Sequence, residues 1–180
     1  MEMGQAAKID LQDKIKEWQA LYKMFGLEKD FSDLLIPEKP AGLDRLLIVA
    51  QGLTPNQEFN KLKELMPVYK FEDDLDIFIP VRKTNRDYAI WTRDQREADD
   101  FQKEEINSIT LEERFLFELK YFLETGQHLD VQNITRCAGS RDAAGRVPRV
   151  CWSGFYSMLY ISCYGPGGMF GRLYSREVVS

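Results

Sequence analysis

Apolar side chains at Leu11, Ile15, Trp18, Tyr22 and Phe25 recur at alternating steps of four and three, which gathers them on one stripe of an amphipathic helix. Gly26 ends that helix. Pro37 and Pro40 punctuate the loop that follows, and the run Arg45-Leu-Leu-Ile-Val-Ala-Gln51 reads as a buried strand. Thr54 before Pro55 is a helix start, because the hydroxyl caps free backbone N–H groups and proline fits the first helical position. Phe59, Leu62, Leu65 and Met66 then supply an apolar face that Pro67 stops. Acidic Glu72-Asp-Asp-Leu-Asp76 reads as a solvated turn ahead of a short strand at Ile77-Phe-Ile79, closed by Pro80.

Polar Arg82-Lys-Thr-Asn-Arg86 separates two halves, an N-terminal α/β region over 1–84 and a second domain over 85–180. Residues 87–93 alternate in the manner of a half-buried strand. Residues 94–107 are densely charged and read as an exposed loop or helix. Thr110-Leu-Glu-Glu113 is a capping box, in which the threonine hydroxyl and the glutamate carboxylate each satisfy an orphan backbone N–H of the other residue. Phe115, Leu116, Leu119, Phe122 and Leu123 mark the buried face of a helix over 111–124 that Thr125-Gly126 stops. Eight of the twelve glycines fall at or after Gly126. Short strands are expected at 146–152, 158–162 and 173–179, and helices beside such strands predict the α+β class.

Composition narrows the function. The 180 residues carry a net charge of −5, with 44% hydrophobic and 29% charged residues, which fits a globular chain. The longest apolar run, Leu46 to Ala50, is strand-sized, so no membrane span is expected. The N-terminus lacks a secretory pattern, so the default compartment is the cytoplasm, with export by another route left open. After Val131 six arginines face only Asp142 and Glu177, so this stretch carries +4 and the rest −9, and no lysine follows Lys120. An acidic chain of pI near 5.1 lacks the broad basic field of a nucleic-acid binder.

His128 is the only histidine, which excludes a multi-histidine metal site and leaves a structural or capping role. Cys137, Cys151 and Cys163 form no C-x-x-C pair and read as reduced thiols. Gly165-Pro-Gly-Gly168 lacks the Lys and Ser/Thr of a phosphate loop. Asp73, Asp74 and Asp76 lack the ligand periodicity of a calcium loop. No catalytic constellation, metal or cofactor is expected. The 22 residues from Ser153 to Tyr174 stand out: six aromatics, five glycines, three serines and one charge, Arg172. Tyrosine gives rigid amphipathic contact area and glycine and serine give adaptable shape, which is the chemistry of an antibody-like binding surface. The alternative is a hairpin whose aromatics form core. Strand alternation assigns Leu159, Ile161 and Cys163 to a core face and Tyr160, Ser162 and Tyr164 to the opposite one.

Several ordered motifs carry a family resemblance: Tyr88-Ala-Ile-Trp-Thr-Arg-Asp94, Ile109-Thr-Leu-Glu-Glu-Arg114 with Glu118-Leu-Lys-Tyr-Phe122, Thr125-Gly-Gln-His-Leu-Asp130, Thr135-Arg-Cys-Ala-Gly-Ser-Arg141, Val147-Pro-Arg-Val-Cys-Trp152 and Ser175-Arg-Glu-Val-Val-Ser180. Together with Leu21-Tyr-Lys23, Ile36-Pro-Glu-Lys39 and Leu53-Thr-Pro55, this string resembles the variable proteins of diversity-generating retroelements, the short ones of tiny-genome uncultivated bacteria. The resemblance implies a C-type lectin-like fold of the formylglycine-generating-enzyme kind over 85–180, with the α/β region as an N-terminal extension. It also implies a C-terminal segment rewritten by adenine-specific reverse transcription to bind different ligands. The matching variable positions are Ser153, Gly154, Phe155, Tyr156, Ser157, Tyr160, Ser162, Tyr164, Gly165, Gly167, Gly168, Met169, Phe170, Arg172 and Tyr174, with Leu159, Ile161, Pro166 and Leu173 as framework. The chain departs from the pattern in having Asp142-Ala-Ala-Gly145 where family members carry Asp-Gly before Val-Pro, and Tyr174 where they carry arginine.

The reading is therefore a non-enzymatic binding module for a macromolecular ligand, a protein first. The last strand, 173–179, is expected to pair with the strand around 89–91. Two alternatives from other classes are a formylglycine-generating-type oxidase, which needs paired cysteines and a metal, and a nucleic-acid module using Arg136, Arg141, Arg146 and Arg149 with tyrosine stacking.

Overall fold

The computed structural model describes residues 2–82, 84–93, 107–165 and 173–180. In chain order its elements are α1 (Glu2–Lys23), β1 (Arg45–Val49), α2 (Pro55–Leu65), β2 (Val68–Lys70), β3 (Ile79–Pro80), β4 (Tyr88–Thr92), α3 (Leu111–Thr125), β5 (Ile134–Arg136), β6 (Ser140–Arg141), β7 (Val147–Ser153), β8 (Met158–Tyr164) and β9 (Leu173–Ser175). The chain is mixed α and β, and no helix among the described residues is long and apolar enough to cross a membrane.

The stripe of α1 docks on β1. The Trp18 indole donates to the Leu46 carbonyl at 3.2 Å, and the Tyr22 hydroxyl donates to the Ile48 carbonyl at 2.7 Å while accepting from the Ala50 N–H at 2.9 Å. Strand edges leave backbone groups unpaired, and these two side chains satisfy two carbonyls of β1 and the N–H just beyond it. β1 and β4 pair antiparallel, with Leu46 opposite Trp91 and Ile48 opposite Ala89. Both α2 and α3 start on complete capping boxes, Thr54 with Gln57 and Thr110 with Glu113, and Gly126 closes α3 at φ +67°. A five-stranded sheet in the order β2-β8-β7-β5-β9 follows, antiparallel at β8–β7 and β7–β5 and parallel at both edges. One buried apolar cluster includes Trp18, Ile48, Leu62, Ile90, Phe115 and Leu159, so it runs through both sides of the division expected near residue 84.

Several expectations need correction. β4 is buried on both faces, with Ala89, Ile90, Trp91 and Thr92 all buried. The face that alternation gives to solvent is closed by the preceding loop: the Trp91 indole donates to the Pro37 carbonyl at 2.9 Å, and the Lys39 ammonium lies over its ring. The chain end does not form one strand over 173–179. β9 pairs parallel with β5, and the chain meets β4 at a single bridge, where Trp91 and Val179 exchange backbone hydrogen bonds of 2.8 and 3.0 Å. Leu65, the last residue of α2, and Leu123, in the last turn of α3, are exposed rather than part of the buried faces expected for them. The acidic turn also has a structural role: Asp76 accepts from the Asn56 backbone N–H at 2.8 Å and Asp74 from its side chain at 2.6 Å, so the turn caps α2. The charged segment 94–107 lies, up to residue 106, outside the described residues.

Charge is built into the core beneath the sheet. Arg114 is fully buried and donates to Glu118 at 2.8 Å and to Asp130 at 3.1 Å; Arg176 from the chain end donates to Asp130 at 2.8 Å. Burial pulls the Arg114 pKa down, but Asp130 and Glu118 more than offset it, so the guanidinium stays charged. His128 closes the cluster. Its ring stacks between Phe122 and Trp152, with centroids 4.9 and 3.4 Å away, and its Nδ1 lies 3.0 Å from Glu118.

Candidate functional site

The surface begins at the turn between β7 and β8. Ser153 pairs with Met158, leaving Gly154, Phe155, Tyr156 and Ser157 as a four-residue loop whose last residue takes φ +50°. The Ser153 hydroxyl accepts from the Tyr156 N–H at 3.3 Å, which fixes the loop, while the Phe155 and Tyr156 rings meet edge to face at 4.8 Å. Phe155 is 88% exposed and Tyr156 62%. Large aromatics held in water on an ordered turn are unusual unless a partner covers them.

Along β8 the two faces separate. Leu159 and Ile161 are buried in the core, whereas Tyr160 and Ser162 are half-buried and Tyr164 is exposed. Register places Cys151 opposite Tyr160 and Arg149 opposite Ser162. The Arg149 guanidinium lies 3.8 Å from the Tyr164 ring centre, a cation–π contact that orients the tyrosine. Burial pulls the Arg149 pKa down, with Tyr164 opposing. Tyr160 has its own support: β2 runs beside β8 with Tyr69 opposite Tyr160, and the two rings stack at 5.2 Å. Burial raises the Tyr160 pKa, with its neighbours Tyr69 and Tyr164 adding to the effect, so the hydroxyl stays protonated as a hydrogen-bond donor.

Tyr69 and Phe71 are 46% and 65% exposed, and they extend the aromatic surface from the N-terminal half. Sequence reading missed them. Their only local signal is the alternation of Val68-Tyr69-Lys70-Phe71 behind Pro67, in a strand of three residues.

The variable positions do not all gather. Ser153, Gly154, Phe155, Tyr156, Ser157, Tyr160, Ser162, Tyr164 and Gly165 form the surface just described. Gly167, Gly168, Met169, Phe170 and Arg172 lie outside the described residues. Tyr174 sits in β9 opposite Thr135, three strands from β8, roughly 14 Å at the usual strand spacing.

Neither Cys151 nor Cys163 is an activated thiol. Cys163 packs against the core on the face expected for it but is only partly buried near the end of β8, where it donates to Glu72 at 3.2 Å. Burial and that hydrogen bond push its thiol up to about 11. Burial likewise raises Cys151, and Cys137 is buried. A reactive cysteine needs a lowered pKa. Arg146, one of the arginines considered for nucleic acid, is clamped between Asp142 at 2.5 Å and Glu72 at 2.6 Å.

Compared with known proteins, the chain matches no family model, no curated protein and no solved structure.

Proposed function

We propose that this chain is the ligand-binding variable protein of a diversity-generating retroelement, capturing a macromolecular ligand, a protein first, without transforming it. One observation carries the reading. Consecutive residues of β8 divide cleanly, with Leu159 and Ile161 in the core and Tyr160, Ser162 and Tyr164 on the face that continues into the exposed Phe155 and Tyr156. Residues on that second face contribute little to the core, so they can change identity while the fold persists, which is the physical requirement for diversification. Tyr, Gly and Ser then supply rigid anchors and adaptable hydrogen bonding.

The C-type lectin-like reading of 85–180 draws support from the return of the chain end to β4 at Trp91 and Val179, with α3 beside a sheet whose central strands β8, β7 and β5 pair antiparallel. Sequencing this gene from many cells of one population tests the proposal. Variation should concentrate in codons 153–174, at positions that are adenines in a nearby template copy, and spare Leu159 and Ile161. Substitutions spread evenly along the gene would refute it.

A further inference from the structure

A second site lies away from the aromatic surface, in a cleft of about 260 Å³ between β1, α2, β3, β4 and α3. It is smaller than the roughly 300–1,000 Å³ of pockets that take drug-sized ligands. Its floor carries a buried carboxyl. Glu58 of α2 is 3% exposed, lines the cleft, and its Oε2 has no hydrogen-bond partner among the described residues. Glu112 of α3 lines the same cleft.

Arg82, which also lines the cleft, is already committed. Arg82 donates to both oxygens of Glu113, at 2.5 and 2.6 Å, and Tyr88 donates to Glu113 at 2.9 Å. Among the described residues, Glu58 and Glu112 are thus two carboxyls lining one cavity with no cation hydrogen-bonded to either. A buried polar group is normally satisfied, and the Glu58 carboxyl, which lines this cleft with one oxygen unbonded among the described residues, calls for a donor from outside the chain.

Two classes of cationic donor are open, and the lining separates them. A divalent metal needs several converging oxygen ligands, and among the described residues no three acidic, histidine or cysteine side chains converge. Apolar Val49, Leu53, Ile79 and Pro80 make up much of the wall instead, which suits a short hydrocarbon chain behind a charged head. We propose that the cleft binds a small primary alkylammonium ion, its N–H groups donating to Glu58 and Glu112 and its alkyl chain lying against Leu53 and Val49.

The electrostatics agree. Burial, then repulsion from Glu112, Asp76 and Glu113, pushes the Glu58 pKa well up; burial, then Glu113 and Asp76, pushes Glu112 up to about 7. A bound ammonium opposes both effects, so binding near neutral pH releases protons and weakens as Glu112 takes up a proton below about pH 7.

The test is an amide-resolved NMR titration of the full 180-residue chain at about pH 8 and constant ionic strength, using n-butylammonium chloride, 1-butanol and calcium chloride as separate probes. The expected result is saturable shifts at Ala50, Gln51 and Leu53 with butylammonium in the millimolar range, and weaker or absent shifts with butanol. Glu58→Gln should weaken butylammonium by about tenfold or more. Glu112→Gln, at a less buried position, is the second variant and should weaken it as well. Non-saturable shifts, equal shifts with butanol, tighter saturation with calcium, or unchanged affinity in both variants would each overturn the proposal.

Discussion

At the residue scale the most consequential feature is a set of charges where a core usually holds hydrocarbon. Arg114 sits between Glu118 and Asp130, and Asp130 also receives Arg176, so helix α3 and the chain end share one buried carboxylate. Removing one partner of such a set leaves the other charge desolvated and unpaired. Arg114→Ala is therefore expected to lower unfolding free energy by about 3–5 kcal/mol in urea titration, whereas a loss below about 1 kcal/mol would mean that the cluster is hydrated. Glu58 gives a pH signature of opposite origin. Its folded-state pKa is raised by burial, so the folded chain holds this proton where the unfolded chain has released it. The stabilisation is complete below about pH 4, and it fades as pH rises from there toward the raised folded value. Glu58→Gln cannot ionise, so its stability relative to the parent should grow between about pH 4 and 8 in thermal melts; a constant difference would show that Glu58 titrates normally.

At the element scale the test is the contrast between the two faces of β8. Leu159→Ala and Ile161→Ala each leave a cavity in the core and should cost about 2–5 kcal/mol. Tyr164→Ala and Tyr160→Ala should cost about 1 kcal/mol or less, the latter losing mainly its stack on Tyr69. Equal costs on both faces, measured by denaturant unfolding, would place the tyrosines in the core. This contrast was legible in the sequence because strand alternation is local, as were the helices, whose starts at Thr54 and Thr110 are written in three or four adjacent residues. The fate of β2 and β9 was not legible. Three-residue strands carry too little alternation to register, and their pairings, Tyr69 with Tyr160 and Tyr174 with Thr135, join residues far apart in the chain. Burial of β4 on both faces failed for the same reason, since the loop that covers Trp91 lies fifty-four residues earlier. The orphaned Glu58 carboxyl gave no sequence signal, because a glutamate in the first turn of a helix ordinarily reads as a favourable surface charge.

At the scale of the whole molecule, the structure separates what holds the fold from what faces outward. α1 hydrogen-bonds to the backbone of β1, buried charges tie α3 to the chain end, and the Trp91–Val179 bridge brings the last residues back to β4. None of these contacts uses Phe155, Tyr156, Tyr160 or Tyr164. The account's central claim is that this scaffold tolerates any side chains on that surface and converts them into affinity for a new partner. Its most direct measurement is the dissociation constant of clones selected from a displayed library, randomised at Gly154, Phe155, Tyr156, Ser157, Tyr160, Ser162 and Tyr164, against a soluble protein such as lysozyme. The account predicts clones with micromolar or tighter binding whose melting temperatures stay within a few degrees of the parent. A library in which every folded clone retains the parental tyrosines, or in which folded clones never bind, would contradict it.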